Sequence, residues 1–183
     1  MGAQKDTRTR IQEVALQLFT EKGYEATSLR EIAEILGVTK AALYYHFRTK
    51  EDIVASLTED RIAALDELIA WAARQPRGPE TRREILRRYA ADMTGPRHHA
   101  VMRFMERNQT ALRGHSKVEV IRERSTELLR VLGEPGDTLT TSLKRAMAVF
   151  TLHMAWFVAP DTEATDEERV AAALAVAEEL IEG

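Results

Sequence analysis

The stretch Ser28 to Phe47, SLREIAEILGVTKAALYYHF, constrains the fold of this chain more than any other. Leu29, Ile32, Ala33 and Leu36 repeat at helical spacing, and Ser28 with Glu31 three residues on forms a capping box. Gly37 stands where a helix ends in the left-handed conformation. Val38 and Thr39 lead into a second helix, from about Lys40 to Phe47, whose inward pair is Leu43 and Phe47 at i and i+4. Ala33 is small and central, so the helices can cross closely, with Val38 and Leu43 pinning the second to the first. Two helices joined by so short a turn predict a helix-turn-helix.

The flanking sequence is helical too. Ile11, Val14, Ala15, Leu18 and Phe19 form one stripe of a helix over about 6–22, closed by Gly23. Thr49, with Asp52 at N3, caps a fourth helix that runs to about Ala73. Gln75-Pro76-Arg77-Gly78-Pro79 then breaks the chain. Further helical stretches follow at about 80–94, 97–112, 116–132, 137–158 and 166–182. No window alternates like a strand, and Ala, Leu, Glu and Arg dominate. The expected fold is all-α with about nine helices. An N-terminal three-helix domain covers 1–50, a larger helical domain covers 51–183, and helix 50–73 connects them.

Composition removes several function classes. The chain has no cysteine, so disulfides, thiolate zinc sites and cysteine nucleophiles are excluded. The first ten residues are polar, unlike a signal peptide. The longest mostly apolar run, Ala146 to Ala159, is too short to span a bilayer. A cytoplasmic location with no membrane partner is expected. Net charge is −3, but residues 1–50 hold eight Lys/Arg against six Asp/Glu, while the rest hold 18 against 23. A mildly basic head on an acidic body suits a localised contact with an anionic partner.

With Leu43 and Phe47 turned inward, Thr39, Lys40, Tyr44, Tyr45 and His46 are left facing out. Exposed tyrosines suit DNA: the hydroxyl donates to phosphate and the ring packs on sugar or a thymine methyl, while lysine reaches phosphate or guanine. Ser28 and Thr49 sit at helix N-termini, where free N–H groups bind phosphate. Thr27, Arg30 and Lys50 add hydroxyl and cationic groups.

These residues carry a resemblance. From about Thr9 to Leu57 the chain resembles the DNA-binding domain of the tetracycline-repressor (TetR) family of bacterial regulators. The matching features are Ile11 with Ala15 and Phe19, Gly23-Tyr24, Thr27-Ser28, Ile32-Ala33 and Gly37-Val38, then Leu43-Tyr44-Tyr45-His46-Phe47 with Lys50-Glu51. The resemblance implies base-side contacts from Lys40, Tyr44, Tyr45 and His46, and phosphate contacts from Thr27, Ser28 and Lys50. Ala41-Ala42 departs from the glycine and threonine or serine that many members carry, which thins the sequence readout.

One recognition helix buries too little for specificity, so a dimer is expected. The last two helices offer its surface: Leu139, Leu143, Met147, Val149 and Trp156 on one, Val170, Leu174, Ala177 and Ile181 on the other. The alternative is that these helices only close the monomer core. The resemblance further implies a small-molecule pocket among the middle helices. Candidate lining residues are Trp71, Tyr89, Met93, Met102, Met105, Asn108 and Gln109, joined by Phe150, His153, Met154 and Phe157. Each of these also fits an ordinary core position.

The five histidines show no metal-ligand spacing, since His98 and His99 are adjacent and cannot face one ion. No catalytic constellation or cofactor motif is visible. The expected function is a homodimeric regulator, a repressor that binds a palindromic double-stranded operator and is released by a small-molecule effector. Two other readings stay open: a dimer that binds DNA without a ligand, and a helical enzyme that uses the helix pair for packing.

Overall fold

The computed structural model describes residues 2–93, 96–155, 158 and 163–182. Among them there are nine α-helices and no strand: α1 (Gly2–Glu21), α2 (Leu29–Leu36), α3 (Lys40–His46), α4 (Lys50–Ala72), α5 (Pro79–Ala91), α6 (Pro96–Arg107), α7 (Ser116–Leu132), α8 (Leu139–Met154) and α9 (Asp166–Glu182). No helix among the described residues is long and apolar enough to cross a membrane. The chain divides into two compact units. One is Met1–Ile62 with Pro96–Ile121; the other is Ala63–Gly95 with Arg122–Gly183. The unit that holds the helix-turn-helix therefore takes in α6, which the division at 50/51 assigns to the larger part.

In the first unit the stripe of α1 is the floor of the core. Ile11, Ala15 and Phe19 are fully buried, as are Ile32 on α2, Leu43 on α3 and Ile53 and Val54 on α4. Phe19 meets Tyr24 edge-on with ring centres 5.1 Å apart, and Phe104 of α6 lies 5.5 Å from Phe19 and 6.5 Å from Tyr24, closing a triangle of rings. Burying each such ring contributes about 1.5–3 kcal/mol. Within this interior Gln12 donates to the Ser56 hydroxyl at 2.8 Å, tying α1 to α4. The helix over 97–112 stops early, at Arg107. Asn108 there turns its carboxamide onto other backbone groups, a competition that asparagine side chains often win at helix ends. It donates to the carbonyls of Phe19 (3.0 Å) and Phe104 (2.9 Å) and accepts from the Tyr24 N–H (2.8 Å).

In the second unit α5, α8 and α9 pack on one another. Ile85, Leu86, Ala148 and Leu152 are buried between them, and Ala173 and Ala177 let α9 approach closely. Arg87 pairs with Glu178 at 2.8 Å, and Arg83 pairs with Glu182. Arg145, buried on α8, pairs with Asp137, whose carboxylate also accepts the Glu134 N–H at 2.6 Å. That fixes the turn before α8.

Part of the expected dimer surface is corrected here. Val149, Val170, Ala177 and Ile181 are buried in the core of this unit. Leu174 is half-buried. The α9 residues face inward because α9 spends this stripe on its neighbours in the same chain, and Val149 is buried on the α8 side of that packing. Leu139, Leu143 and Met147, by contrast, are 77%, 56% and 51% exposed. Phe150 and Met154, expected in a pocket, continue the same exposed face of α8 at 55% and 40%. Trp156 and Phe157 lie outside the described residues.

Candidate nucleic-acid interface

Short-range chemistry builds the helix pair. The Ser28 hydroxyl accepts the Glu31 N–H at 3.2 Å and starts α2. Gly37 ends it at φ 66°, a left-handed conformation that costs glycine nothing, with its N–H directed at Glu34 and Val38's N–H at Ala33. The Thr39 hydroxyl then accepts the Ala42 N–H at 3.1 Å and starts α3. Thr49 and Asp52 close a reciprocal capping box at the start of α4, each side chain accepting the other's N–H at 3.0 Å. Leu43 and Phe47 are buried, as their spacing requires.

That burial leaves the other side of α3 in solvent. Tyr45 is 72% exposed and Tyr44 40%. Thr39, Lys40, Ala41 and Ala42 are exposed beside them, and His46 is half-buried. The Lys40 ammonium lies over the Tyr44 ring at 5.3 Å, and Tyr45 meets His46 edge-on at 5.3 Å. Cation and aromatic faces thus form one band along α3. Arg48, exposed just past α3, belongs to this surface and was missed from the sequence. Its signal was a cation immediately before the cap of the next helix.

The flanking residues divide. Ser28 is exposed at its helix start. Arg30 is exposed but paired with Glu34 at 2.7 Å, which raises its pKa. Thr27 is buried, and its hydroxyl donates to the Gly23 carbonyl at 2.9 Å. Lys50 points back into its own domain: Nζ donates to the Tyr24 carbonyl at 2.6 Å and sits 4.5 Å from the Tyr24 ring centre. Thr27 and Lys50, expected at phosphate, are therefore corrected to clamps on the 23–27 turn. The reason is geometric: that turn leaves carbonyls facing inward, and these two side chains satisfy them. Glu31 pairs with Lys22, whose ammonium holds the carboxylate below its ordinary range.

The expected pocket residues are divided between the two units. Met102, Met105, Asn108 and Gln109 belong to the first unit; Trp71, Tyr89, Met93, Phe150, His153 and Met154 belong to the second. Asn108 is a correction, because its carboxamide is committed to Phe19, Tyr24 and Phe104. Met105 packs on the first unit's core, Met102 is half-buried, and Gln109 is exposed. In the second unit, Tyr89 is buried with its hydroxyl 2.7 Å from His153 Nε2, and Met93 is buried. The Trp71 ring carries the Arg88 guanidinium at 4.0 Å. A cavity of about 290 Å³ in this unit is lined instead by Arg77, Thr81, Arg82, Arg130 and Glu134, among others. None of the expected pocket residues lines it.

A doubly capped helix pair with an exposed Lys/Tyr band, on a chain with no strand among its described residues, defines a helix-turn-helix module. Residues 11–57, which hold the helix-turn-helix, match the family model described as "Bacterial regulatory proteins, tetR family". Among relatives, the "HTH-type transcriptional regulator AcrR" of Shigella flexneri is 40% identical over 84 residues, covering 45% of this chain and 39% of that one. The "Biofilm operon icaADBC HTH-type negative transcriptional regulator IcaR" of Staphylococcus epidermidis is 40% identical over 53 residues, 29% of each chain. The matches thus span 39% or less of these relatives' length. Among solved structures, the "ketosteroid transcriptional regulator KstR2" of Mycobacterium tuberculosis aligns over 94% of this chain and 93% of its own, with TM-score 0.67 and 19% identity. "AibR in complex with isovaleryl coenzyme A and operator DNA" aligns over 91% and 95%, with TM-score 0.58 and 22% identity. These two likenesses are of fold.

Proposed function

We propose that the protein is a DNA-binding transcriptional repressor of the tetR family, acting in the cytoplasm as a homodimer on a palindromic operator and released by a small-molecule effector. The observation that carries this reading is the exposed band of Lys40, Tyr44 and Tyr45 on α3, held outward by the buried Leu43 and Phe47. A seven-residue helix so presented has the dimensions to enter a major groove. Lys40, Tyr44, Tyr45 and His46 read bases and sugars there, while Ser28, Thr39, Arg30 and Arg48 face phosphate. The single-unit footprint is small, and two-fold pairing doubles it.

The pairing surface is the exposed apolar face of α8, Leu139, Leu143, Met147, Phe150 and Met154, with Val176 of α9 at 48% exposure. A self-complementary apolar strip of this kind suits an isologous two-fold contact. Effector release follows from linkage: a ligand that favours a mismatched half-site spacing by about 1.4 kcal/mol weakens operator affinity tenfold. α4 contributes residues to both units and is the element through which such a shift would pass. IcaR's name supports a negative regulator, and AibR's title supports a ligand and DNA on one fold. No chemistry of bond making is assigned to the chain.

The test is fluorescence anisotropy with DNA fragments flanking the gene. Saturable, salt-dependent binding to one palindrome, lost in Tyr45→Ala, supports the proposal. Binding that is equal for all fragments, or indifferent to Tyr45→Ala, overturns it.

A further inference from the structure

α1, α4 and α6 enclose a groove of about 510 Å³ within the first unit. Its floor is apolar, from Leu16, Leu57 and Ala100. Volume and lining fall in the range of small-molecule sites, which are mostly apolar with a few polar groups fixing orientation. The charges on its two walls differ in arrangement. On α6, Arg103 and Arg107 are one turn apart and neighbours on one face. On α1, Glu13 and Glu21 are two turns apart, about 12 Å along the axis, too far to share one ligand group. Glu21 is also engaged by Gln17 at 3.0 Å. Arg107 donates to the Thr20 carbonyl at 3.2 Å, which anchors it at the groove's edge. Arg103 is exposed and has no ion-pair partner among the described residues.

We propose that this groove binds an amphipathic carboxylate, its apolar body on Leu16, Leu57 and Ala100 and its carboxylate on the Arg103 guanidinium. The planar guanidinium fork matches a carboxylate in two parallel hydrogen bonds, and Arg107 adds a second cation one turn away. An amine-bearing ligand finds no equivalent pair on α1. Every lining residue lies in the first unit, and none of them is among the residues expected at the effector pocket. Because α1 is the first helix of the helix-turn-helix domain, the ligand would lie against that domain itself.

Isothermal titration of the full chain with decanoate, below its micellar concentration, tests the site. Decanol and decyltrimethylammonium serve as chain-matched neutral and cationic probes. The expected result is one decanoate per chain, with both other probes at least about tenfold weaker, the size of one lost charge-assisted hydrogen bond. Arg103→Ala should weaken decanoate by a similar factor with an unchanged circular-dichroism spectrum. Arg77→Ala, a cation at the cavity of the other unit, should leave it unchanged. Decanoate affinity that is equal in Arg103→Ala, equal for decyltrimethylammonium, or lost only in Arg77→Ala overturns the proposal.

Discussion

Asn108→Ala is the perturbation whose cost the structure defines most closely. Three side-chain hydrogen bonds disappear, each worth about 0.5–1.5 kcal/mol net when formed. What they leave behind matters more. The Phe104 carbonyl keeps a partner, the Asn108 backbone N–H at 3.1 Å. The Tyr24 N–H loses the acceptor that satisfied it, beside a buried ring, at a cost of about 1–3 kcal/mol. A small void next to Phe19 and Phe104 adds to this. The sum is about 3 kcal/mol, which for a chain of this size lowers Tm by about 6–12 °C. Urea unfolding followed by circular dichroism gives the free energy, and amide exchange at Tyr24 reports the orphaned group directly. Asn108→Asp keeps the acceptor but faces a carboxylate toward two carbonyls, so it should be worse than alanine at neutral pH and recover as acid protonates it. A loss below about 0.5 kcal/mol in Asn108→Ala would refute the reasoning, since it would mean the bonds are replaced at no cost.

Lys50→Ala should lower thermal stability as well as DNA affinity, because its ammonium holds the Tyr24 carbonyl; an unchanged Tm with weakened DNA binding would return it to the phosphate role. Lys40→Ala should weaken DNA binding with a smaller slope of log affinity against log salt, by about one charge, in anisotropy titrations across salt. Met147→Glu should leave a folded monomer by sedimentation at concentrations where the unmodified chain is dimeric, since two-fold symmetry brings two new carboxylates to one apolar strip. Glu31 is held below its ordinary pKa by Lys22, so its stabilising contribution is present above the carboxylate range of the unfolded chain and is lost as pH falls through the folded value. Glu31→Gln should therefore flatten the acid side of the stability profile, read from urea midpoints between about pH 6 and 3.

The sequence alone determined the local architecture. Ser28 with Glu31, Gly37, Thr39 and Thr49 with Asp52 are caps whose partners lie within four residues, so their hydrogen bonds follow from spacing. The same is true of α3, where Leu43 and Phe47 at i and i+4 fix which side faces out. Tertiary structure alone decided the fate of groups whose partners are remote in the chain. Lys50 reaches Tyr24 across 26 positions and Asn108 reaches it across 84, and nothing near either residue signals that turn. On α8 and α9 periodicity marks an apolar stripe but not what covers it. Val149 and Ala177 meet their own chain, while Leu143 and Phe150, equally apolar, are left uncovered by it. A helical repeat records that a face must be buried; only the packing of α5, α8 and α9 decides which face is already used.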